Sequence, residues 1–398
     1  MKTIRLLATL GVTLIALIAI GAVQAAGITI ERYEATYRFT ESITFTLTAS
    51  SDVSITQATV FYQAGSALPV RHTADSLIPA PRIDLTTTVS FGNAKPAAFS
   101  TLTYWWEITD QSGKTLRSDP HTLAYIDNRF TWMDLTQGKV RVHWYQGDSG
   151  FGQSAATIAN EALPKLQQQL GVEATGPIDV YIYQSVEDLQ SAVELAGRSW
   201  LGGQARPELG VVMIATPPDA EASLRLRRDL PHELTHLMVF IAAKTGYRSV
   251  PRWLDEGLAS VNEAEPNALQ AVALQDALAQ NQVPSLESLC ASFPTDASSA
   301  LVAYAESRVV VQQIIDSYGL TGIQALLATY RDGASCATGI ERALNTTFSG
   351  LEFKWRASLG PSGGVAAVAQ SSGPWLLIWI AIAIPFFALL LVRRPKKN

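Results

Sequence analysis

Two motifs near the middle of the chain contain the residue types that a metal-dependent reaction requires. The first is His232-Glu233-Leu234-Thr235-His236, and Glu256 follows twenty residues after it. A helix advances about 100° per residue, so His232 and His236 lie on one face and can reach the same ion. Glu256 supplies a third ligand, while Glu233 stands beside the histidines as a base. The spacing predicts one Zn²⁺ ion held by His232, His236 and Glu256.

Two alternatives to this zinc site stay open at the level of the sequence. His232 and His236 could be surface residues of an amphipathic helix, although the motif is rare by chance in a chain with five histidines. Asp255 and Glu263 are the other candidates for the third ligand, because they flank Glu256 in the same segment.

These motifs resemble those of the gluzincin, or peptidase MA-like, zinc metallopeptidases, a superfamily that includes thermolysin and the aminopeptidase-N-like enzymes. The segment Trp253-Leu254-Asp255-Glu256-Gly257-Leu258-Ala259 is similar to the W-L-N-E-G-x-A pattern of the aminopeptidase branch. Tyr304-Ala305-Glu306-Ser307 lies where that branch has Y-E-K-G. The resemblance covers about residues 140–359 and implies an α/β (α+β) zincin-like domain.

The resemblance also implies an activity and a role for each site residue. The substrate would be a peptide or protein, hydrolysed by metal-activated water with Glu233 as the general base. Tyr304 would assist the transition state, although a tyrosine at helical spacing is equally typical of core packing. In place of the exopeptidase segment G-A-M-E-N, the chain has Gly202-Gly203-Gln204-Ala205-Arg206. Peptidase activity is therefore expected, whereas aminopeptidase activity is not implied.

Composition limits the class of protein. The chain has 398 residues, 47% of them hydrophobic and 16% charged, which is enough for two domains with their own cores. Its net charge is −5. Nucleic-acid binding requires clustered Lys and Arg, so we expect no DNA or RNA partner.

The two ends of the chain predict export and membrane anchoring. Residues 1–25 form a secretory signal peptide, with a short basic region, an apolar run and small residues at the cleavage site. Residues 375–392 form an uncharged transmembrane helix, followed by a basic cytoplasmic tail at 393–398. A flexible linker at 360–374 precedes the helix. The expected product is a single-pass cell-membrane protein with an extracytoplasmic catalytic domain.

A β-rich domain is predicted at 27–128, where apolar residues such as Ile43, Phe45 and Leu47 alternate with threonines. Turns predicted at 49–52, 64–66 and 110–113 divide it into about seven antiparallel strands, as in an immunoglobulin-like or fibronectin-III-like sandwich. No catalytic group is visible here, and a protein or cell-surface partner is the function we consider for it. A linker is predicted at 127–138.

The metallopeptidase-like domain is predicted at 139–359. The residues Gly210 to Ala215 are expected to form a strand, and the resemblance implies that it is an edge strand that pairs with the substrate backbone. The zinc helix should begin or kink at Pro231, with Asp229 available as its cap.

Export permits a disulfide between the two cysteines, Cys290 and Cys336, but the sequence leaves their pairing open.

The rival interpretation is a non-catalytic protein that keeps the metallopeptidase-like fold and binds zinc while serving as a surface or interaction protein. Folds of enzymes are reused in this way, so the fold alone does not decide between the two functions.

Overall fold

The computed structural model describes residues 24–25, 27–92, 95–193 and 202–358. These residues form two compact units that meet in sequence between Arg129 and Phe130. The predicted linker at 360–374, transmembrane helix at 375–392 and cytoplasmic tail lie outside the described residues, as does the predicted signal peptide up to residue 23. Among the helices that are described, none has both the length and the apolar character needed to cross a bilayer.

The first unit is built from antiparallel strands. Those described are β1 (Gln24–Ala25), β2 (Ile28–Arg38), β3 (Ser42–Ala64), β4 (Val70–Thr73), β5 (Ala80–Ser90), β6 (Ser100–Asp110), β7 (Thr115–Arg117) and β8 (His121–Tyr125). The turn predicted at 110–113 forms, with Gly113 at φ 82° and Asp110 accepting hydrogen bonds from the backbone of Ser112 and Lys114.

Strand β3 corrects one sequence-based expectation, because the turn predicted at 49–52 is absent and the strand continues through it. Its register shifts after Ser50, and its partners change from β2 and β5 to β4 and β6. Such irregularities bend a strand. As a result Phe45 in the first half packs 5.7 Å from Tyr62 in the second half and 6.4 Å from Trp106, measured between ring centroids. The β-rich unit thus encloses its core between the two halves of a bent strand.

The second unit contains a five-stranded sheet with the order β12-β13-β11-β10-β9. Its strands are β9 (Met133–Gln137), β10 (Val140–Trp144), β11 (Ile178–Tyr183), β12 (Gly203–Arg206) and β13 (Val211–Ala215). Three central strands are parallel, and the outer strands β9 and β12 are antiparallel to their neighbours. The prediction of a linker at 127–138 is therefore wrong for residues 133–137, because they form β9, which pairs with β10.

Helices pack against this sheet and build the rest of the unit. They are α1 (Ser149–Leu170), α2 (Val186–Ala192), α3 (Ala222–Ala243), α4 (Arg252–Asn262), α5 (Ala268–Ala279), α6 (Ala297–Arg331), α7 (Cys336–Leu344) and α8 (Phe348–Ser358), with short 3₁₀ turns at Pro207–Leu209, Lys244–Ser249 and Leu286–Leu289. The core contains Val142, Val180 and Val212 from alternate positions of the sheet, Ile158 and Leu166 from α1, and Leu230 and Leu234 from α3.

Two local features tie the helical part together. Helix α6 is broken at Gly319, whose φ of 66° lies in the left-handed region that glycine tolerates. Cys290 and Cys336 form a disulfide with a Cα–Cα distance of 6.1 Å, which resolves the pairing that the sequence left open. The disulfide joins the segment before α6 to the start of α7.

Candidate metal centre

Helix α3 carries the first motif and passes through Pro231 without ending there. It begins at Ala222, so the prediction that it starts near Pro231 with Asp229 as its cap is wrong. Asp229 is paired with Arg228 at 2.7 Å instead. Proline lacks an N–H, which deprives the Arg227 carbonyl of its helical partner. The N–H of Ala264 donates to that carbonyl at 2.9 Å, so a tertiary hydrogen bond compensates for the proline.

Helix α4 delivers the second motif to the first. Pro251 stands at its N-cap, and the helix runs from Arg252, which places Glu256 in its second turn. A Cβ atom at Gly257 would lie 2.5 Å from the carbonyl oxygen of Ser307 on α6. Glycine at this position therefore allows α4 to approach α6 closely enough to carry Glu256 into the interior.

The structure brings His232, His236 and Glu256 together as the sequence predicts. Their ligand atoms all lie within 4.8 Å of one another. Oε2 of Glu256 is 3.3 Å from Nε2 of His232 and 3.5 Å from Nε2 of His236. This oxygen is buried and accepts no hydrogen bond. An uncompensated carboxylate oxygen between two imidazole nitrogens fits a zinc ion with two nitrogen ligands and one oxygen ligand.

The two alternative third ligands face the opposite nitrogens of the histidines. Oε1 of Glu263 lies 3.0 Å from Nδ1 of His232, and Oδ1 of Asp255 lies 2.9 Å from Nδ1 of His236. A carboxylate only accepts hydrogen bonds, so each Nδ1 carries the proton and each Nε2 is left for a metal. Asp255 and Glu263 therefore orient the histidines in this geometry, and Tyr247 in turn donates to Asp255 at 3.0 Å.

Burial and close charges together set the protonation of the site. Burial alone would lower the pKa of His232, but the adjacent carboxylates of Glu256 and Glu263 raise it to about 10. Burial alone would raise the pKa of Glu256, but the positive charges of Arg252 and His236 hold it well below its usual range. Because a ligating histidine must give up its Nε2 proton, metal binding here releases protons.

Glu233 lies in the same buried region, beside edge strand β12. Burial raises the pKa of Glu233. A Cβ atom at Gly203 would lie 2.4 Å from Oε1 of Glu233, so a larger residue at this position of the strand would displace the Glu233 side chain. Strand β13 was expected at the edge of the sheet, but it lies between β11 and β12. The edge next to the base is β12, because the chain adds one more antiparallel strand there.

Tyr304 reaches the centre from α6. Its hydroxyl donates to Oε1 of Glu256 at 3.3 Å, and its ring centroid lies 6.3 Å from that of His232. The same ring packs against Phe293 at 5.0 Å. Tyr304 thus combines both sequence-based interpretations, since it is part of the core and also touches the site.

Arg252 is a site residue that the sequence reasoning did not identify. Its guanidinium contacts Oε1 of Glu256, four residues further along α4. The signal was present in the spacing, because residues four apart share one face of a helix. The same rule, extended to seven residues, could have assigned Glu263 to the face of Glu256 as a partner and not as a substitute ligand.

Comparison with known proteins identifies the family. The model of the Peptidase MA superfamily matches residues 158–360, about half of the chain. The chain belongs to that superfamily, which confirms the resemblance seen in its motifs. No curated protein sequence matches the chain.

Solved structures similar to the chain include M1 zinc metallopeptidases. One from Deinococcus radiodurans has 14% sequence identity and a TM-score of 0.35, and the match covers 83% of this chain and 94% of that chain. A two-domain M1 zinc metallopeptidase mutant bound to L-arginine has 13% identity and a TM-score of 0.37 over the same shares. A bromine derivative of BhCBM56 has 8% identity and a TM-score of 0.18, covering 26% of this chain and 97% of that chain.

Proposed function

We propose that this protein is a zinc-dependent peptidase that hydrolyses peptide bonds outside the cytoplasm while anchored in the cell membrane. The observation that carries the proposal is the buried Oε2 of Glu256, which faces two histidine nitrogens and accepts no hydrogen bond. Membership of the Peptidase MA superfamily supports the same chemistry. His232, His236 and Glu256 would hold the ion.

The chemistry divides between the ion and the side chains. Zinc bound here would polarise the scissile carbonyl and lower the pKa of a coordinated water molecule from ~15.7 towards ~7. The Glu233 carboxylate takes a proton from the attacking water and returns it to the leaving amine as the C–N bond breaks. Tyr304 donates to the carbonyl oxygen as negative charge develops on it.

Among the described residues no strand pairs with the outer edge of β12, and we assign this edge to the substrate backbone. Ala215 donates to the carbonyl of Gly202 at 2.7 Å, and hydrogen-bonded pairs alternate along an antiparallel ladder. The backbone N–H and C=O groups of Gly203 and Ala205 therefore point away from β13. An extended peptide added at this edge would pass beside Glu233, since Gly203 contacts that side chain.

The decisive experiment combines metal analysis with cleavage of a peptide library by the full chain. Wild-type protein should contain zinc and cleave peptides. Glu233→Gln removes the basic oxygen but keeps the size of the side chain, so it should retain zinc and lose about 10²–10⁴-fold of the cleavage rate. Glu161→Gln, an exposed glutamate on α1, is the matched control and should behave like wild type.

Each contrary result has a separate meaning. Loss of zinc in the Glu233→Gln protein would make Glu233 structural. Equal cleavage by this variant and wild type would assign the activity to a contaminant and favour the non-catalytic surface protein.

The location proposal has its own test. The apolar segments at both ends of the chain motivate it. External protease applied to intact cells should remove both domains and should leave the C-terminal helix. The partner-binding surface that we propose for the β-sandwich would be lost with its domain. Protection of residues 140–359 would refute the proposed topology.

A further inference from the structure

The side chain of Arg252 has no part in the peptidase chemistry described above, although it touches a metal ligand. It begins helix α4, and its guanidinium contacts Oε1 of Glu256. A second nitrogen of the same group lies 3.5 Å from Oδ2 of Asp255. The arginine side chain is 31% exposed and that of Glu256 only 2%, so the contact joins a buried carboxylate to a cation that reaches solvent.

The two oxygens of Glu256 have different surroundings. Oε1 is in an ion pair with the Arg252 guanidinium and accepts a hydrogen bond from the Tyr304 hydroxyl. Oε2 accepts none and faces the Nε2 atoms of His232 and His236. A carboxylate can bind a cation through one oxygen or through both. Here only Oε2 is left to do so.

We propose that Arg252 is a positioning residue that makes Glu256 a single-oxygen ligand. The inference rests on the zinc centre of the proposed function. With Oε1 engaged, the protein supplies three donor atoms, and a fourth position remains for water, as a catalytic zinc site requires. If both oxygens of Glu256 bound the ion, they would occupy that position.

The shape of the arginine head suits this task. A guanidinium presents several N–H donors in one rigid plane, so it can contact Glu256 and Asp255 together, whereas a lysine ammonium is a single point of charge. Asp255 also accepts from Nδ1 of His236. Arg252 therefore contacts one ligand, Glu256, directly and a second ligand, His236, through Asp255. Loss of the arginine should disturb the geometry of both ligands.

The test uses Arg252→Met, which keeps an apolar stem, and Arg252→Lys, which keeps the charge. Arg141→Met is the matched control, because Arg141 also pairs with a carboxylate, Asp179, but does so on strand β10. Zinc dissociation constants are measured by competition with a chelator, and coordination is read from the absorption spectrum of the Co²⁺-substituted protein. Circular dichroism of the metal-free proteins verifies folding. None of these measurements depends on peptide cleavage.

Arg252→Met should weaken zinc binding by about 10–100-fold and shift the cobalt spectrum towards a higher coordination number. Arg252→Lys should weaken zinc binding by a smaller factor, but still several-fold, because one ammonium group cannot contact both carboxylates. Arg141→Met should match wild type.

Wild-type affinity and an unchanged cobalt spectrum in Arg252→Met would overturn the positioning role. Should that variant fail to fold, the same result in Arg252→Lys would overturn it. Failure of wild-type protein to bind zinc would instead refute the proposed function itself.

Discussion

Buried carboxylates occur in both units of this protein, but their surroundings differ. In the β-rich unit, Asp110 accepts hydrogen bonds from the side chain of Ser112 and from the backbone of Ser112 and Lys114. The Ser112 hydroxyl is the main reason that the pKa of Asp110 lies below 3.8. Asp127 is paired with Arg129. Each of these carboxylates has local donors, so it needs nothing from outside the fold.

The second unit, the metallopeptidase unit, has more buried carboxylates around its histidine pair than guanidinium groups that contact them. The carboxylates are those of Glu233, Asp255, Glu256 and Glu263, and the guanidinium groups are those of Arg252 and Arg308. With the carboxylates ionised and both histidines neutral, as metal ligation requires, two negative charges remain, which a divalent cation would offset. At this centre, unlike in the β-rich unit, the buried carboxylates outnumber the guanidinium groups beside them, which is typical of a functional site.

The largest expected effect comes from removing a metal ligand. Glu256→Ala or His232→Ala leaves two protein ligands, so zinc affinity should fall by more than the ~10–100-fold typical of losing an orienting partner. The zinc content of purified protein measures this. Asp110→Asn in the β-rich unit should leave zinc content unchanged. Full zinc occupancy in Glu256→Ala would mean that Asp255 or Glu263 is the third ligand.

A second prediction is that the disulfide stabilises only the metallopeptidase unit, because both cysteines lie in that unit. The disulfide spans 46 residues. Closing a loop of that length reduces the conformational entropy of the unfolded chain, which raises its free energy by about 4 kcal/mol. Replacing Cys290 and Cys336 by serine should lower the free energy of unfolding of this unit by about 2–4 kcal/mol. Urea unfolding with and without reductant measures it. A reductant effect on the β-rich unit, or on the double-serine protein, would contradict the prediction.

Local patterns in the sequence predicted much of both units. Alternation revealed the strands of the β-rich unit. The histidine pair followed from helical spacing, and Glu256 followed from the second motif, which lies on another helix. The immunoglobulin-like or fibronectin-III-like character of the first unit stays a prediction.

The errors occurred where tertiary contacts override a local rule. Pro231 should break a helix, but the N–H of Ala264 supplies the missing partner of the Arg227 carbonyl. The polar residues at 49–52 suggest a turn, but pairing on both sides carries β3 through them. The spacing of four residues could have paired Arg252 with Glu256, but it could not have shown which oxygen of Glu256 the arginine contacts.

A third prediction asks how far Tyr304 belongs to the site and how far to the core. Tyr304→Phe keeps the packing against Phe293 but removes the hydroxyl, so kcat should fall by about 10–1000-fold with little change in KM. Tyr318→Phe is the control, because that hydroxyl accepts from Lys354 on α8. Peptide hydrolysis at several substrate concentrations separates the two constants. An unchanged kcat would make Tyr304 a packing residue.

The last prediction concerns Glu306, a buried carboxyl on α6. It is fully buried, and neither oxygen has a hydrogen-bond partner. Burial raises its pKa from 4.5 to about 8, and the charges of Arg356 and Glu352 on α8 act in opposite directions on it. Burial without hydrogen-bond donors thus raises the pKa of Glu306, whereas hydrogen-bond donors lower the pKa of Asp110.

The sign of the pH dependence follows from these values. Between pH 4.5 and about 8 the folded protein holds a proton at Glu306 that the unfolded chain has released. Stability of the metallopeptidase unit therefore falls as pH rises through this window, by as much as about 1.4 kcal/mol per pH unit for one proton. Glu306→Gln cannot ionise, so it should remove this slope and unfold at higher urea concentration than wild type at pH 8. Urea unfolding of metal-free protein across the window, with the exposed Glu341→Gln as control, measures the difference. Equal slopes in Glu306→Gln and wild type would mean that Glu306 ionises in the folded protein as readily as in the unfolded chain, and the contrast with Asp110 would be lost.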